Sequence, residues 1–308
     1  MINIRFCDLW NYVTLAFEKL QGGADMKRDY LKYIAALLLF GSNGIVASAI
    51  ALSSVEIVFW RTLIGSLLLL LIFLVGKNRF TFYKRKKELL SLGISGIAMG
   101  ASWMFLYEAY QQIGVSIASL CYYCGPVIVM LLSPFLFHEK LTKSRIFGFL
   151  MVLCGIVLVN GQFLGEKGNT WGIFCGMMSA VMYALMVIFN KKAEHITGLE
   201  NSMLQLIFSF LTVACFSGIR QDVALPAQSD IAPILILGIV NTGIGCYFYF
   251  SSIGRLPVQT VAVCGYLEPL SAVIFAVVFL RETMRVGQLF GAALILGGAL
   301  YCEICRKK

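Results

Sequence analysis

Glu268 is the residue best placed to do chemistry in this chain of 308 residues. It stands about eleven positions into an apolar run at 258–280, directly before Pro269. A carboxyl group that deep in a lipid-like medium is costly to keep there, and it suits exchange of a proton or pairing with an ammonium group. Pro269 has no N–H, so it loosens a helix and leaves a carbonyl of the preceding turn to face a cavity; Pro126 is its counterpart in the run at 116–137. Two other charges lie within apolar runs. Glu108 has Trp103 and Tyr107 about one helical turn away or less. Arg61, a few residues into the run at 57–75, is a partner for either carboxylate or for a substrate's own carboxylate, unless it snorkels to the membrane interface. Asn43, Tyr123, Tyr183, Asn241 and Tyr266 add groups that hydrogen-bond, stack on a ring or surround an ammonium. With Trp103, Tyr107, Glu108 and Glu268 they are the candidate substrate-binding residues, and Pro126 and Pro269 the candidate helix breaks.

Nothing comparable points to catalysis. The two histidines, His138 and His195, fall at loop edges and are too few for a metal cluster. No HExxH, nucleophile elbow or Walker loop is present, so no enzyme, catalytic residue, metal or cofactor is expected. Cys121, Cys154, Cys175, Cys215, Cys246 and Cys264 sit in apolar runs, where cysteine acts as a small hydrophobe.

The elements that position these residues must cross a bilayer. The chain is 59% hydrophobic and 13% charged, with mean hydropathy +0.83, which excludes an ordinary soluble domain. Runs of spanning length fall at 31–50, 57–75, 89–111, 116–137, 145–163, 171–190, 201–219, 231–252, 258–280 and 286–304. They do not alternate, so they are helices rather than barrel strands. The net charge of +9 reads as topology and not as nucleic-acid binding, because no soluble domain remains to hold a nucleic acid. Placing the N-terminus inside puts 20 Lys and Arg on the cytoplasmic side and 4 outside, so both termini are expected in the cytoplasm. Residues 1–29 read as a cytoplasmic N-terminal extension: Met26 before Lys27 and Arg28 is a natural start, and the apolar positions before it suit an interfacial helix. Residues 305–308 form a basic cytoplasmic tail.

The chain repeats itself. Ile113 and Gly114 match Ile253 and Gly254; after a three-residue insertion, Pro126 falls on Pro269, Glu139 on Glu282, Gly148 on Gly291 and Gly155 on Gly298. Residues 30–161 and 172–304 are therefore two five-span units joined by a linker at 162–171. An odd number of spans turns the second unit over in the membrane, putting Glu139 inside and Glu282 outside. Each closes a helix, beside Lys140 and Arg281, where loop ion pairing or gate closure is expected. Inverted halves can exchange conformations about a fixed central site, which is alternating access.

FGSNG at 40–44, VEIVFWRTLIG at 55–65, IGVSIASL leading to HEKLT, and LEPLSAVIFAVVFLRETM at 267–284 resemble the two EamA domains of the drug/metabolite transporter superfamily. The likeness covers about residues 31–304. It implies an all-α membrane protein whose ten helices surround a central cavity walled by spans one, three, four, six, eight and nine. It also implies movement of small metabolites such as amino acids, their derivatives or amines, most often outward. The expected protein is thus a multi-pass secondary transporter of the cytoplasmic membrane, with a small-molecule substrate and the lipid bilayer as partners, as a monomer or homodimer. Proton coupling through Glu268 is one expectation. An importer of a quaternary amine such as choline is the alternative, and a receptor or scaffold without transport is the third class.

Overall fold

The computed structural model describes residues 24–76, 80–125, 128–129, 132, 147–148, 150–152, 154–155, 158, 169–220, 224–253, 256, 264–265 and 267–304. In chain order the elements are α1 (Ala24–Gly41), α2 (Asn43–Ser48), α3 (Ser54–Val75), α4 (Lys86–Ile113), α5 (Val115–Tyr122), α6 (Asn169–Lys191), α7 (Gly198–Arg220), α8 (Gln228–Leu235), a π-helical segment (Ile236–Ile244), α9 (Gly245–Ile253), α10 (Leu267–Phe279) and α11 (Val286–Ile304). A short 3-10 turn, Phe82–Lys84, precedes α4.

Six helical stretches are long and apolar enough to cross a membrane, at 27–48, 54–75, 86–113, 170–191, 198–218 and 228–252; α10 and α11 contribute shorter apolar helices. These correspond to the predicted spans one to three, six to eight, nine and ten. Part of span four, most of span five and of the linker, and the tail lie outside the described residues, as do Pro126, Glu139 and Tyr266. Helix α1 begins at Ala24, inside the stretch expected to be an extension. Two irregularities were not foreseen. Span one is interrupted at Ser42, and span eight carries a nine-residue π-helical segment.

The halves interlock about a pseudo-two-fold. Helix α4 packs along α6, and its counterpart α9 along α1; α7 packs on α4 as α3 packs on the π segment; α5 meets α6 as α10 meets α1. Each of these pairings thus has its image when the halves are exchanged. The repeated glycines show the same relation at atomic scale. A methyl group on Gly155 would lie 2.6 Å from the Gly291 carbonyl oxygen, and one on Gly298 would lie 2.7 Å from that of Gly148. Since Gly148 corresponds to Gly291 and Gly155 to Gly298, one contact is the image of the other. These positions must be glycine because spans five and ten touch backbone to backbone there.

Four carboxylates fasten the halves at the two ends of the bundle. Each is the third residue of its helix, where a negative charge complements the helix N-terminus, and each accepts hydrogen bonds from backbone amides of a loop in the other half. At one end Glu56 accepts from Ala224 N at 2.8 Å and Asp230 from Ala51 N at 3.2 Å. At the other end Glu200 accepts from Thr81 N at 2.6 Å and Phe82 N at 3.0 Å, and Glu88 from His195 N at 2.9 Å. Exchange of the halves carries Glu56 to Glu200 and Asp230 to Glu88. Glu282 adds a further crosslink: it accepts from Val115 N at 2.8 Å and Ser116 N at 2.9 Å, capping α5 just after Gly114, whose φ is +78°. Glu282 therefore binds a helix start of the first half and not its neighbour Arg281.

Candidate functional site

Where the helices of both halves converge they enclose a cavity of about 60 Å³. Phe40 and Asn43 reach it from either side of the Ser42 break, Arg61 from α3, and Met99, Trp103, Leu106, Tyr107 and Tyr110 from α4. Ser119, Tyr122 and Tyr123 line it from α5 and the turn that follows. The second half supplies Tyr183 and Met186, Cys246, Tyr249 and Phe250, and Glu268 and Ala272. Aromatic faces dominate, with one guanidinium and one carboxyl group among them.

Arg61 is fully buried, which overturns snorkelling to the interface. Gly65, one turn on, lets α3 approach the π segment so closely that a methyl group there would lie 2.8 Å from Thr242 Cγ2. That approach brings the Arg61 Nε within 2.9 Å of Thr242 Oγ1, to which it donates, while Nη1 donates to the Tyr107 hydroxyl. The guanidinium carbon lies 4.3 Å from the Trp103 ring centre and 5.0 Å from that of Tyr107, within cation–π range. Nη2 is buried and has no hydrogen-bond partner. Among the described residues no carboxylate forms an ion pair with Arg61.

The π segment is held to the Ser42 break. Asn241 Nδ2 donates to Leu39 O at 2.8 Å and to Ser42 Oγ at 2.9 Å, and the Thr242 hydroxyl donates to Leu237 O at 2.7 Å. A π-helical turn leaves the usual backbone pattern and re-aims side chains, and such turns recur at functional sites. Here it aims Thr242 at Arg61. Asn241 is thereby a stitch between spans one and eight and lies outside the cavity lining.

Glu268 enters from α10, immediately before Pro269. Its carbonyl accepts from the Ser271 hydroxyl at 2.9 Å, and Gly41 of α1 packs so close that a methyl there would lie 2.9 Å from the same oxygen. The Tyr123 hydroxyl makes no well-aligned hydrogen bond, yet it is near enough to the Glu268 carboxyl for the two side chains to interact. Tyr122 stacks edge-on against Tyr123 at 5.3 Å and Tyr183 at 5.1 Å between ring centres. Gly125, the counterpart of Glu268 in the first half, presses instead on Tyr183 and the Ala180 carbonyl.

Of the predicted site residues, Asn43, Trp103, Tyr107, Tyr123, Tyr183 and Glu268 come together around the cavity, and Tyr266 lies outside the described residues. Glu108 is elsewhere. It accepts from Ser54 Oγ at 2.6 Å, Gln112 Nε2 at 3.1 Å and Trp171 Nε1 at 3.2 Å, joining spans two, three and six near their ends. Phe40, Tyr110, Ser119 and Phe250 line the cavity without having been singled out. Their signal in the sequence is helical spacing from recognised residues: Tyr110 is three after Tyr107, and Ser119 four before Tyr123. No group of three His, Cys, Asp or Glu among the described residues is placed to hold a metal.

The polar balance of the cavity is incomplete. Asn43, Arg61, Ser119 and Tyr123 line it, and Asn43 Oδ1, Arg61 Nη2, Ser119 Oγ and Tyr123 OH are buried and make no well-aligned hydrogen bond. Each such group costs on the order of 1–3 kcal/mol if left unsatisfied, so the arrangement fits a polar guest.

The comparisons with known proteins agree with this architecture. The chain is 24% identical over 282 residues to a Bacillus subtilis protein described as the uncharacterized transporter YxxF, covering 87% of each chain. It is 25% identical over 310 residues to the uncharacterized transporter YetK of the same organism, covering 96% of this chain and 93% of that one. An uncharacterized transporter of Helicobacter pylori is 28% identical over 281 residues, covering 87% and 91%. A crystal structure at 21% identity superposes with a TM-score of 0.66 over 90% of this chain and 98% of the other, which shows the fold. The family of EamA-like transporters matches twice, at 29–161 and 170–302, one match to each half of the pseudo-two-fold. By this double match over most of its length, the chain belongs to the EamA-like transporter family.

Proposed function

We propose that this transporter carries small metabolites, namely amino acids, their derivatives or amines, outward across the cytoplasmic membrane by alternating access. Both termini are inside, and residues 30–161 and 172–304 are the two units that move. The observation that carries this reading is the central cavity, lined from both halves by residues with four buried polar atoms that make no well-aligned hydrogen bond. Interlocked inverted halves are the architecture by which such a site is exposed to each side in turn. The bias of basic residues supports the orientation, and the family likeness supports the outward direction. Glu268 exchanges the coupling proton, because it is the one carboxyl group among the described lining residues.

Purified protein in proteoliposomes tests this. Counterflow of labelled amino acids, with net efflux driven by an inward proton gradient, is the expected result. Glu268→Gln should weaken counterflow and leave what remains without a response to the gradient; a variant that responds normally removes Glu268 from coupling.

The aromatic rings around Glu268 favour a second reading, import of a quaternary amine such as choline, since stacked tyrosines and a carboxylate suit an ammonium. Labelled choline compared with labelled tryptophan separates the two.

A further inference from the structure

We infer that Arg61 selects the substrate's carboxylate, so that the cavity takes a zwitterion with its anionic end on Arg61 and its ammonium end towards Glu268. The inference rests on the transport reading above and narrows it to one substrate class.

The cavity contains one fixed cation and one carboxyl group, and no ion pair joins them among the described residues. A guanidinium offers five N–H donors in a planar fork that matches a carboxylate. At Arg61 the Nε is held by Thr242 and Nη1 by Tyr107, which fix the plane of the fork, and Nη2 is left without a partner. Trp103 and Tyr107 lie against the guanidinium. They hold its orientation and neutralise none of its charge. A buried charge lacking a counter-ion is a liability unless something else supplies it, and a substrate carboxylate supplies it at the free edge of the fork. The carboxyl group of Glu268, flanked by Tyr123 and other aromatic faces, offers the complementary pole for an ammonium. A simple amine leaves Arg61 unanswered; a simple acid leaves Glu268 unanswered. A zwitterion whose charges span the distance between the two answers both, and Ser119 and Asn43 remain to hydrogen-bond its polar atoms.

The test uses full-length protein in lipid nanodiscs and matched compounds: tryptophan, tryptamine and indole-3-propionate; leucine, 3-methylbutylamine and 4-methylpentanoate; and choline. Binding is read by thermal shift and by displacement of whichever amino acid binds. The expected result is that at least one amino acid binds about tenfold or more tightly than its own amine and its own acid. Arg61→Gln should erase the advantage of the amino acid over the amine while leaving its advantage over the acid, and Arg61→Lys should restore it in part. The wild-type comparison stands even if a variant fails to fold. If amines or choline bind as well as the amino acids, the carboxylate role of Arg61 is overturned while transport stands. If no compound in the set binds or exchanges across proteoliposomes, the transport reading of the cavity fails with it.

Discussion

The contact of spans five and ten gives a prediction that can be worked from distances. A methyl group on Gly155 would lie 2.6 Å from the Gly291 carbonyl oxygen, 2.7 Å from Ile295 Cγ1 and 2.9 Å from Ile295 N. Two of these atoms are backbone and cannot rotate away, so Gly155→Ala must move the helices apart by something near 1 Å to restore ordinary contact. Overpacking of this kind costs about 1–3 kcal/mol, against which alanine gains up to about 1 kcal/mol of helix propensity over glycine. The net expectation is a loss of about 1–2 kcal/mol. Gly298→Ala, the image of this change, meets the Gly148 carbonyl oxygen at 2.7 Å and Met151 Cβ at 2.8 Å and should cost a similar amount. Once one substitution has separated the helices the second meets less resistance, so the double variant should be less destabilised than the two losses added, with a coupling of about 1 kcal/mol. Gly218→Ala is the control: a methyl there meets nothing within 4 Å, and stability should hold or rise slightly. Denaturant titration in detergent, followed by tryptophan fluorescence, measures all four. Equal stability of Gly155→Ala and Gly298→Ala to the parent, or strict additivity of the pair, would refute backbone-to-backbone contact as the reason for these glycines.

Other outcomes follow from the fastenings at the bundle ends. Glu200→Ala strands two backbone amides, Thr81 N and Phe82 N, and the Thr81 hydroxyl. It should lower stability by about 2–4 kcal/mol, with Glu200→Gln losing less; thermal unfolding ranks them. With the orientation proposed above, cysteines placed in the cavity should react faster with reagent added outside when Glu56 and Asp230 are neutralised, and faster with reagent added inside when Glu88 and Glu200 are. The same side responding to both pairs would show that the fastenings do not govern access. Asn241→Leu removes both bonds that join the π segment to Leu39 and Ser42. Binding should weaken several-fold more than stability falls, because Thr242 and through it Arg61 lose their registry.

The repeat was legible because its marks are glycine, proline and glutamate, residues whose backbone geometry or charge cannot be exchanged for leucine without penalty. Glu268 was legible for the same reason, as a carboxyl group in a run that otherwise contains none. Arg61 was visible as a charge, but whether it turned to the interface or the interior depended on Thr242 and Tyr107, residues far off in sequence. Asn241 and Glu108 looked equally suited to the cavity, and both are satisfied elsewhere, because polar type carries no direction until the facing helix is known. The π segment has no sequence signature of its own: ILGIVNTGI reads as an ordinary apolar helix. The four end carboxylates escaped notice because their images differ in type and setting. Asp230 stands for Glu88, and Ser53 caps the helix of Glu56 where Glu200 follows Gly198.

Those end fastenings bear on energetics as well as geometry. Among the described residues, Glu56, Asp230 and Glu282 hold four backbone amides at one end of the bundle, and Glu88 and Glu200 hold three at the other. Among the described residues the two ends are thus held by sets of bonds of similar size, so that neither mouth is fastened much more firmly than the other. On the alternating-access reading proposed above, such a scaffold is a turnstile and not a ratchet: the concentrations on its two sides, more than its own framework, decide which way it turns.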